Sequence, residues 1–172
     1  LAESGVETVL IEKNLKDKHL GVLQALAREH ADVYGFSVYI WNAEEMDRFA
    51  AELHGLLPSA VLVFGGPEVS FANEGFFAAH PAVDYISAGE GETAFPDLCG
   101  LLEKGMTPPR IYRAEPFADF VQSGIYYDRI GERPHGLVYY ESVRGCPFSC
   151  AYCLSSRAEG IRAKTAEKAL AD

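Results

Sequence analysis

The sequence predicts a doubly wound α/β fold, a parallel sheet with helices on both faces. Three observations predict it: short apolar runs recur through the first 105 residues, segments with helical spacing separate them, and several runs end in glycine-rich turns. Strands separated by helices pair in parallel through right-handed crossovers, which place helices on the sheet faces.

The elements follow in order. "VETVLIEK" (6–13) is β-branched and apolar and reads as a strand. "DKHLGVLQALAREH" then sets Leu20, Leu23, Leu26 and Ala27 at helical spacing. "DVYGFSVYIW" (32–41) is a nearly continuous apolar run, as in a strand covered on both faces. Asn42 and Glu45 have the spacing of a capping box, Met46, Phe49, Ala50 and Leu53 form a buried stripe, and Gly55 is placed to stop that helix. "AVLVFGG" (60–66) is the next strand, "ANEGFFAAH" a short helix, "VDYISAG" (83–89) a strand, and "AFPDLCGLLEKG" (94–105) a helix.

"LAESG" at the start reads as the tail of a helix, so a first strand is expected ahead of it. In the flavodoxin-like order that strand is central, and its loss would leave a gap in the sheet. After Gly105 the periodicity stops. Residues 106–136, rich in proline, glycine and aromatic clusters, read as a connector. "LVYYESV" (137–143) is a new strand running into a cysteine-rich loop, and "AEGIRAKTAEKALAD" begins a helix. The expected organisation is therefore an α/β domain over 1–105, a connector over 106–136 and the start of a second domain over 137–172.

Net charge is -10 over 172 residues, so the chain repels phosphate backbones and direct nucleic-acid binding is not expected. The longest strongly apolar stretch, around "SAVLVF", is far short of the roughly 20 residues that span a bilayer, so no membrane helix is expected. No signal-peptide pattern opens the chain, and the thiols are clustered rather than spread as staples. These features predict a cytoplasmic, reducing setting.

Three of the four cysteines, Cys146, Cys150 and Cys153, lie in "RGCPFSCAYC" with C-x3-C-x2-C spacing. Three thiolates in one loop can ligate three irons of a four-iron cluster and leave the fourth iron open. Spacing alone leaves two other readings: a zinc site, which needs a fourth ligand such as His135, or three unrelated thiols.

The flanks of the motif resemble the signature of the radical S-adenosylmethionine (SAM) superfamily, with Arg144 and Gly145 before the first cysteine and Tyr152 before the third. The resemblance implies a 4Fe-4S cluster held by Cys146, Cys150 and Cys153, with SAM on the open iron and Tyr152 beside its adenine. It further implies a reductant such as flavodoxin or ferredoxin, reductive cleavage of SAM to a 5'-deoxyadenosyl radical, and the first strand and cluster loop of a radical SAM barrel.

The strand ends upstream carry "GFS", "GGPEVS" and "GEGET", where doubly wound sheets bind ligands. Ser37, and the Gly65-Gly66 pair 28 residues later, resemble the serine and double-glycine elements of cobalamin-binding domains. Gly89, Glu90 and Gly91 look like the loop after the last strand of cobalamin-binding radical SAM proteins, relatives of the anaerobic magnesium-protoporphyrin ester cyclase. The family's D-x-H-x-x-G motif would fall ahead of Leu1, and Tyr39 stands where the family usually has leucine.

Structural roles compete at each position. Gly65 and Gly66 suit a tight turn, Glu90 and Glu92 suit a helix N-terminus, and Cys99 in "DLCGLL" suits a buried apolar filler. Tyr39 and Trp41 suit either a corrin face or ordinary aromatic packing. His19, His30, His54, His80 and His135 show no i, i+4 pairing.

The sequence as a whole is expected to be part of a cobalamin-domain radical SAM enzyme, an iron-sulfur oxidoreductase acting in methyl transfer, cyclisation or rearrangement of a substrate it does not identify. Taken alone, this segment is expected to be inactive. A cobalamin-binding or regulatory module without turnover, and a zinc-stabilised interaction domain, are the competing readings.

Overall fold

The computed structural model describes residues 6–14, 16–121, 140–157 and 160–172. The chain divides into two compact units, Leu1–Pro116 and Phe117–Asp172. His135, residues 122–136 of the expected connector and residues 137–139 of the expected second-domain strand lie outside the described residues, as do residues 1–5.

In the first unit the elements are α1 (His19–Arg28), β1 (Val33–Ser37), α2 (Ala43–Leu56), β2 (Val61–Gly65), α3 (Phe76–Ala79), β3 (Tyr85–Ala88), α4 (Gly91–Glu103) and β4 (Ile111–Arg113). The strands form one sheet in the order β1-β2-β3-β4, every pair parallel. Ser37 is in register with Gly65, and Gly65 with Ser87, so the carboxyl ends of three strands line up.

Alternation along the strands separates two faces. Tyr34, Phe36, Leu62, Phe64 and Ile86 face α1, α2 and α3, burying Val22, Leu23, Phe49, Leu53 and Phe77 in one core. Leu53, Leu62 and Ile86 are 0% exposed, and burying each side chain of this size stabilises by about 1.5–3 kcal/mol. On the opposite face lies α4, whose Phe95 ring rests on the bare Cα of Gly35, and whose Ala94 and Leu98 are buried. Helices therefore cover both faces, and the fold is a doubly wound α/β domain.

The amino ends of the strands are tied by polar groups. Leu62 N donates to Asp84 Oδ2 at 2.8 Å. Arg110 donates to the carbonyls of Asp84 (3.1 Å) and Val83 (2.7 Å), with its guanidinium 3.7 Å from the Phe77 ring centre. Tyr34 Oη donates to Leu26 O (3.2 Å) and accepts from Ala31 N (3.1 Å), joining the end of α1 to the start of β1.

Several boundaries differ from expectation. Residues 6–14 form no strand, and Val9 and Leu10 are 58% and 70% exposed. A strand exists only as part of a ladder, and among the described residues none pairs with this segment or with the outer edge of β1. Residues 111–113, inside the expected connector, form β4, because Ile111 and Tyr112 find an open ladder on β3. The last helix of the series begins at Gly91 rather than 94, and α2 continues through Gly55 to Leu56. Among the described residues no helix is long and apolar enough to cross a membrane.

In the second unit, β5 (Val143–Arg144) pairs antiparallel with β6 (Arg162–Ala163), followed by α5 (Ala166–Ala171), whose Thr165 cap accepts from Lys168 N at 3.2 Å. The expected strand over 137–143 is thus reduced, within the described residues, to a two-residue ladder. Its partner runs antiparallel. Phe120 is the buried centre, 2% exposed, with the Arg144 guanidinium 4.4 Å and Lys164 Nζ 5.6 Å from its ring centre.

Candidate functional site

The carboxyl ends of β1, β2 and β3 carry the loops 38–42, 66–70 and 89–90. The first is held by Asn42, whose Nδ2 donates to Ser37 O at 2.9 Å and whose Oδ1 accepts from Tyr39 N at 2.7 Å. Asn42 occupies the N-cap position of α2 but makes no side-chain cap bond, and Glu45 reaches His19 instead. The expected capping box is therefore replaced by a clasp on the loop before the helix, because both amide groups of Asn42 are consumed there. That clasp leaves Ser37 exposed at the edge. Tyr39 and Trp41 stack on each other, centroids 4.6 Å apart and planes 9° apart, yet Trp41 remains 66% and Ile40 79% exposed.

The two glycines after β2 have different reasons to be glycine. Gly66 has φ +107°, and a Cβ there would lie 2.5 Å from Val38 O, so it is fixed by backbone conformation and by the close approach of the β1 loop. Gly65 lies in β2, and a Cβ there would meet nothing within 4 Å but Ser87, its O at 3.4 Å and its Cβ at 3.8 Å. Gly65 leaves a gap at the strand end; Gly66 fills a turn.

Ser70, quoted in "GGPEVS" but not singled out by the sequence, joins the loops. It is buried, its Oγ donates to Gly66 O at 2.8 Å and accepts from Gly89 N at 3.3 Å, and its carbonyl accepts from Arg113 Nη2 at 2.7 Å. A hydroxyl can donate and accept at the same atom, which lets one side chain tie both loops. Gly89, at φ +94°, turns the chain out of β3. Glu90 takes the N-cap position of α4 in extended conformation without a side-chain cap bond, Gly91 opens the helix, and Glu92 lies in its first turn. Glu92 thus sits where a carboxylate favours the helix dipole. A Cβ at either Gly89 or Gly91 would meet nothing within 4 Å, so the loop presents bare backbone. Cys99 is buried on α4 and burial pushes its thiol pKa up, so it stays an inert filler.

In the second unit, Cys146, Cys150 and Cys153 are partly buried and form no disulfide. Cys153 N donates to Cys150 O at 3.1 Å, a turn that places these two on one loop. Among the described residues no three His, Cys, Asp or Glu side chains are arranged to hold a metal ion. The three thiols suit an iron-sulfur cluster chemically. Gly145, at φ +89°, lies against the backbone of Gly160 and Ile161 where a Cβ has no room, and Tyr152 is 92% exposed.

Comparison with known proteins bears on the first unit directly. Residues 1–99 match the B12 binding domain family, a span that takes in Ser37, the Gly65-Gly66 turn, Ser70 and the loop from Gly89 to Gly91. A 2-(S-pantetheinyl)-carbapenam-3-carboxylate methyltransferase from Streptantibioticus cattleyicolor is 31% identical over 149 residues, covering 71% of this chain and 22% of that protein. The cobalamin-dependent radical SAM methyltransferase TokK from Streptomyces tokunonensis is 29% identical over 147 residues, with the same coverage. An uncharacterized methyltransferase from Pyrococcus horikoshii is 29% identical over 131 residues, 59% of this chain and 26% of that protein. The chain thus spans about a fifth to a quarter of the length of these relatives. Among solved structures, the N-terminal domain of a hypothetical protein from Thermotoga maritima aligns with TM-score 0.43 and 13% identity, over 66% of this chain and 82% of that one. With more than half its length matched, and with the matched residues forming the glycine-lined carboxyl edge of a parallel sheet, the chain belongs to the B12 binding domain family.

Proposed function

We propose that the first unit holds cobalamin at the carboxyl edge of its sheet, as the corrinoid-carrying part of a radical SAM methyltransferase. The observation that carries this reading is the open space at Gly65, where a Cβ would meet only Ser87, beside exposed Ser37 and the bare backbone of Gly89 and Gly91. Ser37, Gly65 and the Gly89-Glu90-Gly91 loop would hold the ligand, Gly66 and Ser70 would hold the loops, and the exposed face of the Tyr39–Trp41 stack would cover a flat apolar macrocycle. Bound cobalamin would supply a cobalt centre able to carry a methyl group. The chain's own part is to bind and orient it and to keep water from the buried end of the strands.

The second unit's share of that activity rests on its motif and on the relatives' chemistry. Cys146, Cys150 and Cys153 are proposed as the cluster ligands and Tyr152 as the residue beside SAM. An unidentified substrate and a flavodoxin- or ferredoxin-like reductant complete the proposal. That no three His, Cys, Asp or Glu side chains are arranged to hold a metal ion among the described residues supports a second reading, in which the chain carries cobalamin without turnover.

Hydroxocobalamin titration tests the first claim, since Trp41 is the only tryptophan and its fluorescence reports on the edge. Saturable quenching, with red colour retained through gel filtration, is expected; neither signal appearing would overturn it. For the second claim, the protein at its native length is reconstituted anaerobically with iron and sulfide and given SAM and reductant. Release of 5'-deoxyadenosine that disappears in Cys146→Ala, Cys150→Ala and Cys153→Ala is expected, and its absence in the parent protein would leave the module without turnover.

A further inference from the structure

Ser37, Gly65 and Ser87 stand side by side across three strands, and residues in register on a parallel sheet project to the same face. That face is the one covered by α4. Two residues back along β1 the space is filled, since Phe95 presses on Gly35 with a ring atom 2.6 Å from where its Cβ would be. At the carboxyl end it is not: Gly65 lacks a side chain, and only Ser87 comes within 4 Å of where its Cβ would be, through its backbone O at 3.4 Å and its Cβ at 3.8 Å.

Ser87 is 4% exposed, and its hydroxyl has no hydrogen-bond partner among the described residues. Thr93, in the first turn of α4, has a hydroxyl in the same condition. Buried hydroxyls are almost always bonded, because an unmet one forfeits its hydration without compensation. Two such groups lie on the strand and the helix joined by the Gly89-Glu90-Gly91 loop, each free to bond a group from outside the described residues.

Resting on the cobalamin reading above, we infer that the Ser87 hydroxyl, supported by that of Thr93, is a hydrogen-bonding contact to a polar group of the bound corrinoid that enters the gap at Gly65. Corrinoids offer two sources of such a group, the amide side chains of the ring and the nucleotide appendage, and both accept from a hydroxyl.

The test uses the chain itself with hydroxocobalamin and, separately, with cobinamide, which lacks the nucleotide, following affinity by visible absorbance and apo-protein stability by thermal melting. Ser87→Ala is expected to weaken hydroxocobalamin binding about tenfold, or about 1.4 kcal/mol, without lowering the melting temperature of the apo-protein. A serine needed only for packing would instead lower both together. Thr93→Val, which keeps the shape and removes the hydroxyl, is expected to act in the same direction and carries the test should Ser87→Ala not fold. Loss of affinity for both ligands places the contact on the ring amides, and loss for hydroxocobalamin alone places it on the nucleotide. Unchanged affinity for both ligands in both variants overturns the inference while leaving the cobalamin reading intact; a parent chain that retains neither ligand overturns that reading and this inference with it.

Discussion

The imidazole of His19 lies flat on the ring of Phe49, centroids 4.4 Å apart and planes 5° apart, while both its nitrogens are held by carboxylates of α2. Nδ1 is 2.6 Å from Glu45 Oε1 and Nε2 is 2.8 Å from Glu52 Oε2, so α1 is fastened to α2 by one doubly bonded ring. The hydrogen bonds to Glu45 and Glu52 raise the His19 pKa, against burial and the nearby Arg48 guanidinium, and the bond to His19 holds the Glu52 carboxyl below its ordinary value.

The pH dependence follows from those directions. A histidine with a raised folded-state pKa contributes its full stability below its unfolded value, about 6.5, and loses it as pH rises through the folded value. The lowered Glu52 pKa acts oppositely, its contribution fading only as the solution becomes acid. The melting temperature should therefore fall as pH rises from about 6 to about 8, within the range where histidine titrates. His19→Gln, which keeps hydrogen-bonding capacity without the titration, should flatten that slope; an unchanged slope would show that His19 is not its source.

The neighbouring glycines of the β2 turn should respond differently to one methyl group. Gly66→Ala forces a side chain onto φ +107° and against Val38 O, and should cost about 1–3 kcal/mol in urea unfolding. Gly65→Ala meets ordinary contact distances and should leave stability within about 1 kcal/mol, yet should weaken hydroxocobalamin retention by placing a methyl group in the open space. Equal stability losses in both variants would remove the distinction.

That pair also shows what was legible in the sequence. Periodicity located the strands around Val33–Ser37, Val61–Gly65 and Tyr85–Ala88 because each is an apolar run bounded by turn residues. The double glycine was visible as a motif, but which glycine makes the turn and which leaves space depends on where Val38 and Ser87 lie, a tertiary fact. Residues 6–13 and 111–113 exchanged roles for a similar reason: strand formation depends on an available ladder, which β-propensity does not encode. Ser70, Ser87 and Thr93 carried no sequence signal, since a serine or threonine is unremarkable until its neighbours are known. The cysteine spacing was plain, whereas the convergence of its thiols is a matter of geometry that spacing cannot supply.

Asn42 is expected to be the most sensitive polar residue of the β1 loop. Asn42→Ala removes the bonds to Ser37 O and Tyr39 N and should cost about 1–2 kcal/mol. Because Trp41 lies between Tyr39 and Asn42 and is the only tryptophan, loosening of the loop should appear as a shift of its emission before global unfolding. An emission spectrum and stability identical to the parent would show that the clasp does not set the loop.

The outer edge of β1 makes the last prediction. Val38 N donates inward to Gly65 O at 2.7 Å, so by the alternation of strand amides those of Tyr34 and Phe36 also face β2, while those of Val33, Gly35 and Ser37 face the edge. Among the described residues no strand covers that edge. Hydrogen exchange should therefore alternate along a single strand, fast at Gly35 and Ser37 and slow at Tyr34 and Phe36, although both sets belong to the same short element. Residue-resolved exchange by NMR reads this directly. Uniformly slow exchange from Val33 to Ser37 would mean that another strand covers the edge in solution, and addition of hydroxocobalamin should slow Ser37 preferentially if the ligand rests on the carboxyl end of β1.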